Sequence, residues 1–285
     1  MYDGNELISS TLVEREAESE NILRPQTLEG YIGQDKVKEN LMVYISAARR
    51  RNENLDHVLL YGPPGLGKTT LAHIIANEMH TRITVTSGPA IEKAADLVAL
   101  LSKLTENEVL FIDEIGELQT CQINKLLKVL EDRRVMFESA YYSEENKKIP
   151  TYIHDVFKNG IPADFRLIGA TTRKPEEIPE AVRSRCVEIY FNPLTRDNIE
   201  KIIYGAAERI KINIEQNAVG MIARYAKNGR DAVKILQMAK NIIFLDNRRN
   251  VTLDDIAWIL KTCHYTNGYI SSDEKVIDIS VIKPK

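Results

Sequence analysis

Residues 59–79 read LLYGPPGLGKTTLAHIIANEM. An apolar run passes into three glycines and a lysine, and then into a segment that spaces Leu71, Ile74, Ile75 and Met79 along one helical face. Strand, glycine loop and helix in that order form a setting for phosphate. Gly62-Pro63-Pro64-Gly65-Leu66-Gly67-Lys68-Thr69 fits G-x-x-x-x-G-K-[ST]. The glycines let the backbone curl so that its N–H groups point into an anion-sized nest. The following helix adds the positive end of its dipole. Lys68 can reach the β- and γ-phosphates, and the Thr69 hydroxyl can ligate Mg²⁺, with Thr70 beside it in the binding set. ATP or GTP binding is the expectation.

A phosphate cradle hydrolyses nothing by itself. The stretch VLFIDE, 109–114, buries four apolar residues and then puts two carboxylates at the end of a strand, where open α/β sheets bind ligands. Asp113 is expected to hold the water shell of the Mg²⁺, and Glu114 to orient and deprotonate the attacking water. LIGATTR ends a further strand with Thr171 and Thr172, where a hydroxyl or amide can share that water with Glu114. RSRC, 183–186, places arginines just before another strand. Arg185 is read as a finger that stabilises transition-state charge on a neighbouring subunit's nucleotide, while Arg183 reads better as a surface ion pair. Arg230 opens a helix in NGRDAV and is expected at the γ-phosphate.

Around this centre, HVLLYG, RITVTSG, EVLFIDE, DFRLIGATT and VEIYF give five strands alternating with helical patterns. That is the signature of a mostly parallel sheet covered on both faces. VKENLMVYISAARR places Val37, Leu41, Tyr44, Ile45 and Ala48 on one helical face, and QINKLLKVLED places Ile123, Leu126, Leu127 and Leu130 on another. After Pro193 the strand signal stops. Thr195 is expected to cap RDNIEKIIYGAAERI, Gly229 to stop the helix AVGMIARYAKNG, and Thr252 with Asp255 to form a capping box. The predicted organisation is a flexible arm at 1–21, an αβα core at 22–194, a small all-helical lid at 195–265 and a tail at 266–285.

Composition narrows the class. With 38 basic against 41 acidic side chains, no cationic excess exists to coat DNA non-specifically. The densest basic run, ARRRN at 48–52, fits a helix end, where cations complement the dipole. The N-terminus has no apolar signal core and no apolar run reaches membrane-spanning length, so a cytoplasmic protein is expected. Cys121, Cys186 and Cys263 show no metal or redox spacing and read as packing residues; the five histidines are scattered and read as structural.

The set of parts resembles the AAA+ ATPases over residues 22–265. The resemblance implies a five-stranded αβα core with a helical lid, and subunits in rings, usually of six, with the site at the boundary. YIGQ, 31–34, is similar to the family's segment bordering the adenine, so Tyr31 and Ile32 are implied base contacts. SRC, 184–186, is similar to the arginine-finger motif of clamp loaders. More finely, LRPQTLEGYIGQDKVKENL, DHVLLYGPPGLGKTTLAHIIANE and VTSGPAIEK resemble the Holliday-junction branch-migration motors of the RuvB family. These fall within residues 22–115; from 109 to 265, the stretch that begins DEIGEL at 113–118 and runs to residue 186, together with the segment NGRDAVKILQ, resembles the AAA+ module of Lon-type bacterial proteases.

Three functions compete, the first two implied by these resemblances. One is a RuvB-like ring that couples ATP turnover to moving DNA, with a RuvA-type partner. Another is a Lon-like module acting on unfolded polypeptide, and a third is a nucleotide-dependent switch that turns over very slowly. About twenty residues follow position 265, so neither a winged-helix DNA-binding domain nor a protease domain is expected in this chain. The segment GPAIEKAADL has no aromatic residue where polypeptide-threading motors typically grip, although Phe137, Tyr141 and Tyr142 in the 133–163 insertion offer either a substitute grip or packing beneath a long loop.

Overall fold

The computed structural model describes residues 22–51, 53, 55–137 and 151–263. The expected arm at 1–21, Asn52, Tyr141, Tyr142 and the tail at 266–285 lie outside the described residues. The described chain falls into two compact units. One comprises residues 36–63 and 71–191, the other 22–35, 64–70 and 192–263.

The first unit is built on β1 (His57–Tyr61), β2 (Ile83–Ser87), β3 (Val109–Asp113), β6 (Arg166–Thr171) and β7 (Cys186–Tyr190), all parallel, in the order β2-β3-β6-β1-β7. Between β3 and β6 a two-residue antiparallel pair, β4 (Arg134–Val135) with β5 (Ile161–Pro162), closes the base of the insertion. The central strands are near-continuous apolar runs because both faces are covered; Leu59, Leu60, Leu110, Phe111 and Ile112 are fully buried. Helices Lys68–Glu78, Ala94–Leu101 and Thr120–Asp132 follow β1, β2 and β3 as crossovers. Phe137 packs edge-on against Phe157 with ring centroids 6.4 Å apart, so packing describes it better than a grip.

The helix Asp35–Arg51 buries Val37, Leu41, Ile45 and Ala48 as expected. Tyr44 is the correction, lying outward and 42% exposed at the edge of the stripe. Cys121 and Cys263 are exposed rather than packed. Cys186 is half-buried, and burial pushes its thiol up to about 12, away from reactivity.

The second unit holds helices Arg196–Arg209, Gln216–Tyr225, Gly229–Leu245 and Leu253–Thr262 around a core that fully buries Ile203, Ile222, Ile235, Leu236 and Ile256. Each such side chain is worth roughly 1.5–3 kcal/mol in burial. Thr195 accepts from the Asn198 N–H at 3.2 Å, and Thr252 forms its capping box with Asp255. Two expectations fail here. A two-residue parallel pair, β8 (Asn213–Ile214) with β9 (Asn250–Val251), joins the helices, so the unit is not all-helical. Gly229 begins a helix instead of ending one: the preceding helix stops at Tyr225, and Asn228 caps the next by accepting from the Asp231 N–H at 2.9 Å.

Among the described residues no helix is long and apolar enough to cross a membrane.

Candidate functional site

In the second unit, the phosphate-loop residues Pro64–Thr70 are held by their neighbours. Gly65 and Gly67 have φ of 78° and 94°, a region that only glycine enters freely. Space adds a second constraint. A Cβ on Gly67 would meet the Tyr31 hydroxyl at 2.6 Å, and one on Gly65 would meet the Asn228 carboxamide at 2.3 Å. Tyr31 is 4% exposed and donates from its hydroxyl to the Leu66 and Gly67 carbonyls at 3.2 and 3.3 Å. Burial pushes that hydroxyl above the ordinary tyrosine range, so it stays a donor at any working pH.

Ile32, Thr69 and Thr70 are half-buried, Leu66 and Lys68 are buried, and Pro64 and Arg230 are exposed. Two supports escaped the sequence reading. Gln34 exchanges hydrogen bonds with the Asn192 backbone, at 2.6 Å to its carbonyl and 3.0 Å from its N–H, tying the YIGQ segment down. Asn228 lies on Gly65; its spacing of three to Asp231 was a legible cap, but its place on the loop was not.

In the first unit, the carboxyl ends of the strands carry Gly62, Pro63, Asp113, Glu114 and Thr172. β1 passes into half-buried Gly62 and exposed Pro63, and the Gly62 N–H donates to the Thr171 carbonyl at the end of β6 at 3.2 Å. β3 ends at Asp113, which is half-buried and accepts from the Glu114 N–H at 3.1 Å. Glu114 adopts a left-handed conformation, φ 48° and ψ 50°, a strain of roughly 1–3 kcal/mol for a residue with a side chain. One of its carboxylate oxygens accepts from the Thr172 N–H at 3.2 Å and from the Thr172 hydroxyl at 3.1 Å. Thr171 is fully buried, and its hydroxyl accepts from the Arg173 N–H at 3.0 Å, which fixes the turn that presents Thr172.

Arg183 and Arg185 separate in role. The Arg183 guanidinium donates to Glu188 at 2.6 Å, beside the stacked pair Tyr61 and Tyr190. Arg185 donates to Glu131 and to the Ala181 carbonyl. Cys186, the next residue, pairs in register with His57, the first residue of β1, so Arg185 stands at the amino end of the sheet. Glu114 stands at the carboxyl end of β3, three strand positions away. Strand rise and spacing put the two backbones roughly 20 Å apart, beyond the reach of an arginine side chain. Arg185 therefore cannot serve the Glu114 of its own chain.

A family model described as the Holliday junction DNA helicase RuvB P-loop domain matches residues 23–190. The RuvB subunit of the Holliday junction branch migration complex of Enterococcus faecalis is 50% identical over 282 residues, 97% of this chain and 80% of that protein. Lon protease 2 of Bacillus subtilis is 37% identical over 285 residues, 86% of this chain, which spans only 50% of that protein. Among solved structures, the Thermotoga maritima RuvB Holliday junction branch migration motor aligns with a TM-score of 0.69 at 34% identity, covering 85% of this chain and 73% of its own.

Proposed function

The chain belongs to the RuvB P-loop family, and from that premise we propose that it is an ATP hydrolase whose ring-forming subunits drive DNA through a four-way junction. The observation that supports hydrolysis is the clasp between Glu114 and Thr172, which holds a carboxylate at the end of β3 where the sequence reading expects a general base, and the RuvB relatives support DNA as the substrate. In this reading Lys68, the backbone of Gly62–Thr70 and Arg230 hold the phosphates, and Tyr31 and Ile32 border the adenine. Glu114 takes a proton from water as the water oxygen bonds to the γ-phosphorus and the bond to the ADP oxygen breaks. Thr172 keeps the carboxylate aimed. Arg185 acts on the nucleotide of a neighbouring subunit, consistent with its distance from its own Glu114.

Mg²⁺ is the cation this reading calls for, because Thr69 and Asp113 offer only oxygen ligands. No group of three or more His, Cys, Asp or Glu side chains among the described residues forms a protein cage for a metal. Thr69 would offer a hydroxyl and Asp113 an acceptor for the ion's water shell, with phosphate and water supplying the other ligands, as is usual for Mg²⁺. The ion would supply charge neutralisation to the phosphates.

The Lon relative, matched along 86% of this chain, supports a second reading, a polypeptide-remodelling ATPase. One assay separates them: steady-state ATP turnover with duplex DNA, a four-way junction with and without a RuvA-type protein, and an unfolded protein, side by side. The proposed function expects the junction to raise turnover and the unfolded protein to leave it unchanged. The reverse result transfers the assignment to the Lon-like reading.

A further inference from the structure

Gly88 is a glycine for reasons of space alone. Its backbone is outside the left-handed region where Gly65 and Gly67 lie. Yet a Cβ there would meet the Glu114 carbonyl oxygen at 2.3 Å and the Glu117 Cβ at 3.2 Å. The parallel register pairs Ser87 with Asp113, so the residues that follow, Gly88 and Glu114, leave the sheet side by side. Each enters a short 3₁₀ turn, Gly88–Ala90 and Ile115–Glu117, and the two turns pack together.

The other end of the first turn is pinned as well. Ile91 is 5% exposed, and its N–H closes the turn on the Gly88 carbonyl at 3.1 Å. Its own carbonyl accepts from the Gln122 carboxamide at 2.6 Å. Gln122 is fully buried and its side-chain oxygen accepts from the Gln119 N–H at 2.7 Å, so the carboxamide is locked to the helix that follows Glu114. Between and beyond these anchors Pro89, Ala90, Glu92 and Lys93 are exposed.

We infer that Gly88 and Gln122 are positioning residues for Glu114. They bracket the segment 88–93 against the turn that holds the carboxylate, so pressure on its exposed residues is felt at the Glu114 backbone. The inference rests on the reading of Glu114 as the general base. A left-handed residue already under strain has no slack with which to absorb a methyl group pushed against its carbonyl. A displacement of about 1 Å at a reacting group costs on the order of a hundredfold in rate.

The test uses the full chain, with ATP turnover and the affinity for a fluorescent ADP analogue measured on the same preparations. Gly88→Ala is expected to lower kcat at least about tenfold while KM for ATP and the ADP affinity stay within about twofold. Gln122→Met, which keeps the side-chain volume and loses the amide donor, is expected to show the same signature more weakly and stands in if Gly88→Ala does not fold. In a Glu114→Gln background, Gly88→Ala is expected to cost nothing further, because its effect passes through the lost base. The inference is overturned if Gly88→Ala keeps the wild-type kcat, if it weakens nucleotide binding as much as it slows turnover, or if its loss multiplies with that of Glu114→Gln. Should Glu114→Gln itself turn over at the wild-type rate, the general-base assignment is what fails.

Discussion

Two glutamates flank β3, and their surroundings are opposites. Glu108, at the amino end, is 6% exposed and accepts from the Thr84 hydroxyl at 2.5 Å, the Thr105 hydroxyl at 2.8 Å and the Thr105 N–H at 2.9 Å. Burial alone would raise its carboxyl, but those bonds outweigh it and hold the group below the usual carboxylate range. Glu114, at the carboxyl end, is half-buried, strained in its backbone, and shares one oxygen between two bonds of 3.1 and 3.2 Å. A carboxylate saturated by donors is a poor base and a good fastener. One with spare acceptor capacity at the end of a strand suits the general base proposed for Glu114. Identity and strand position therefore say less about role than the count and length of the donors.

The largest expected effect tests whether the amino end is purely structural. Arg185→Ala should cut turnover by roughly 10³–10⁵ with nucleotide binding intact, if the arginine acts as a finger. Mixing Arg185→Ala with Glu114→Gln subunits should restore part of the activity, since some boundaries then pair a sound base with a sound finger. No recovery at any mixing ratio would mean the arginine does not reach across a boundary. Next in size, Glu114→Gln should lower kcat by roughly 10²–10⁴ and leave ATP binding in place, because the amide oxygen still accepts from Thr172 but takes no proton. Tight binding with undiminished turnover would remove Glu114 from the chemistry.

Local chemistry made much of this legible. The phosphate loop, the acids ending β3 and the caps Thr195 and Thr252 are each written within a few consecutive residues, and the central strands are apolar runs that only a doubly covered sheet produces. The failures share a cause, which is competition or distance. Asn228-Gly229 is both a helix stop and a helix start, and the Asp231 N–H decided for the start. Tyr44 sits at the margin of an apolar stripe, where periodicity alone does not place the boundary. Gln122 has helix-surface chemistry, and nothing near it in the chain announces that Ile91 waits for its amide. Gly88 has an ordinary backbone, so its reason for being glycine is a carbonyl from another strand.

A smaller effect should appear at Glu108. Glu108→Gln is expected to lower stability by about 1–3 kcal/mol through weakened charge-assisted bonds, with ATP turnover unchanged. Its folded pKa is depressed, so its contribution is present above the ordinary carboxylate value and is lost as pH falls through the depressed one. Denaturation curves at pH 7 and below pH 4 check both statements. A variant with wild-type stability and impaired turnover would reverse the roles assigned to the two glutamates.

The finest test lies at the same end of the sheet, at His57. Its Nδ1 accepts from the Leu167 N–H at 3.0 Å, which requires an unprotonated nitrogen. Burial first, and then the Arg166 guanidinium, push the imidazole down to about 4. The unfolded chain takes up this proton as pH falls below about 6.5, whereas the folded chain resists until about 4. Unfolding therefore binds a proton across that window, and stability declines with falling pH by at most about 1.4 kcal/mol per unit from this group. His57→Asn keeps an acceptor for the Leu167 N–H and removes the titration, so it should flatten the decline between pH 6.5 and 4 while leaving turnover at neutral pH alone. That window lies above the one in which Glu108 loses its charge, so the two groups at the amino end can be separated by pH. A variant that loses stability with acid as steeply as the wild type would show that the imidazole is not held neutral, and that the amino end of the sheet is less closed than its hydrogen bonds imply.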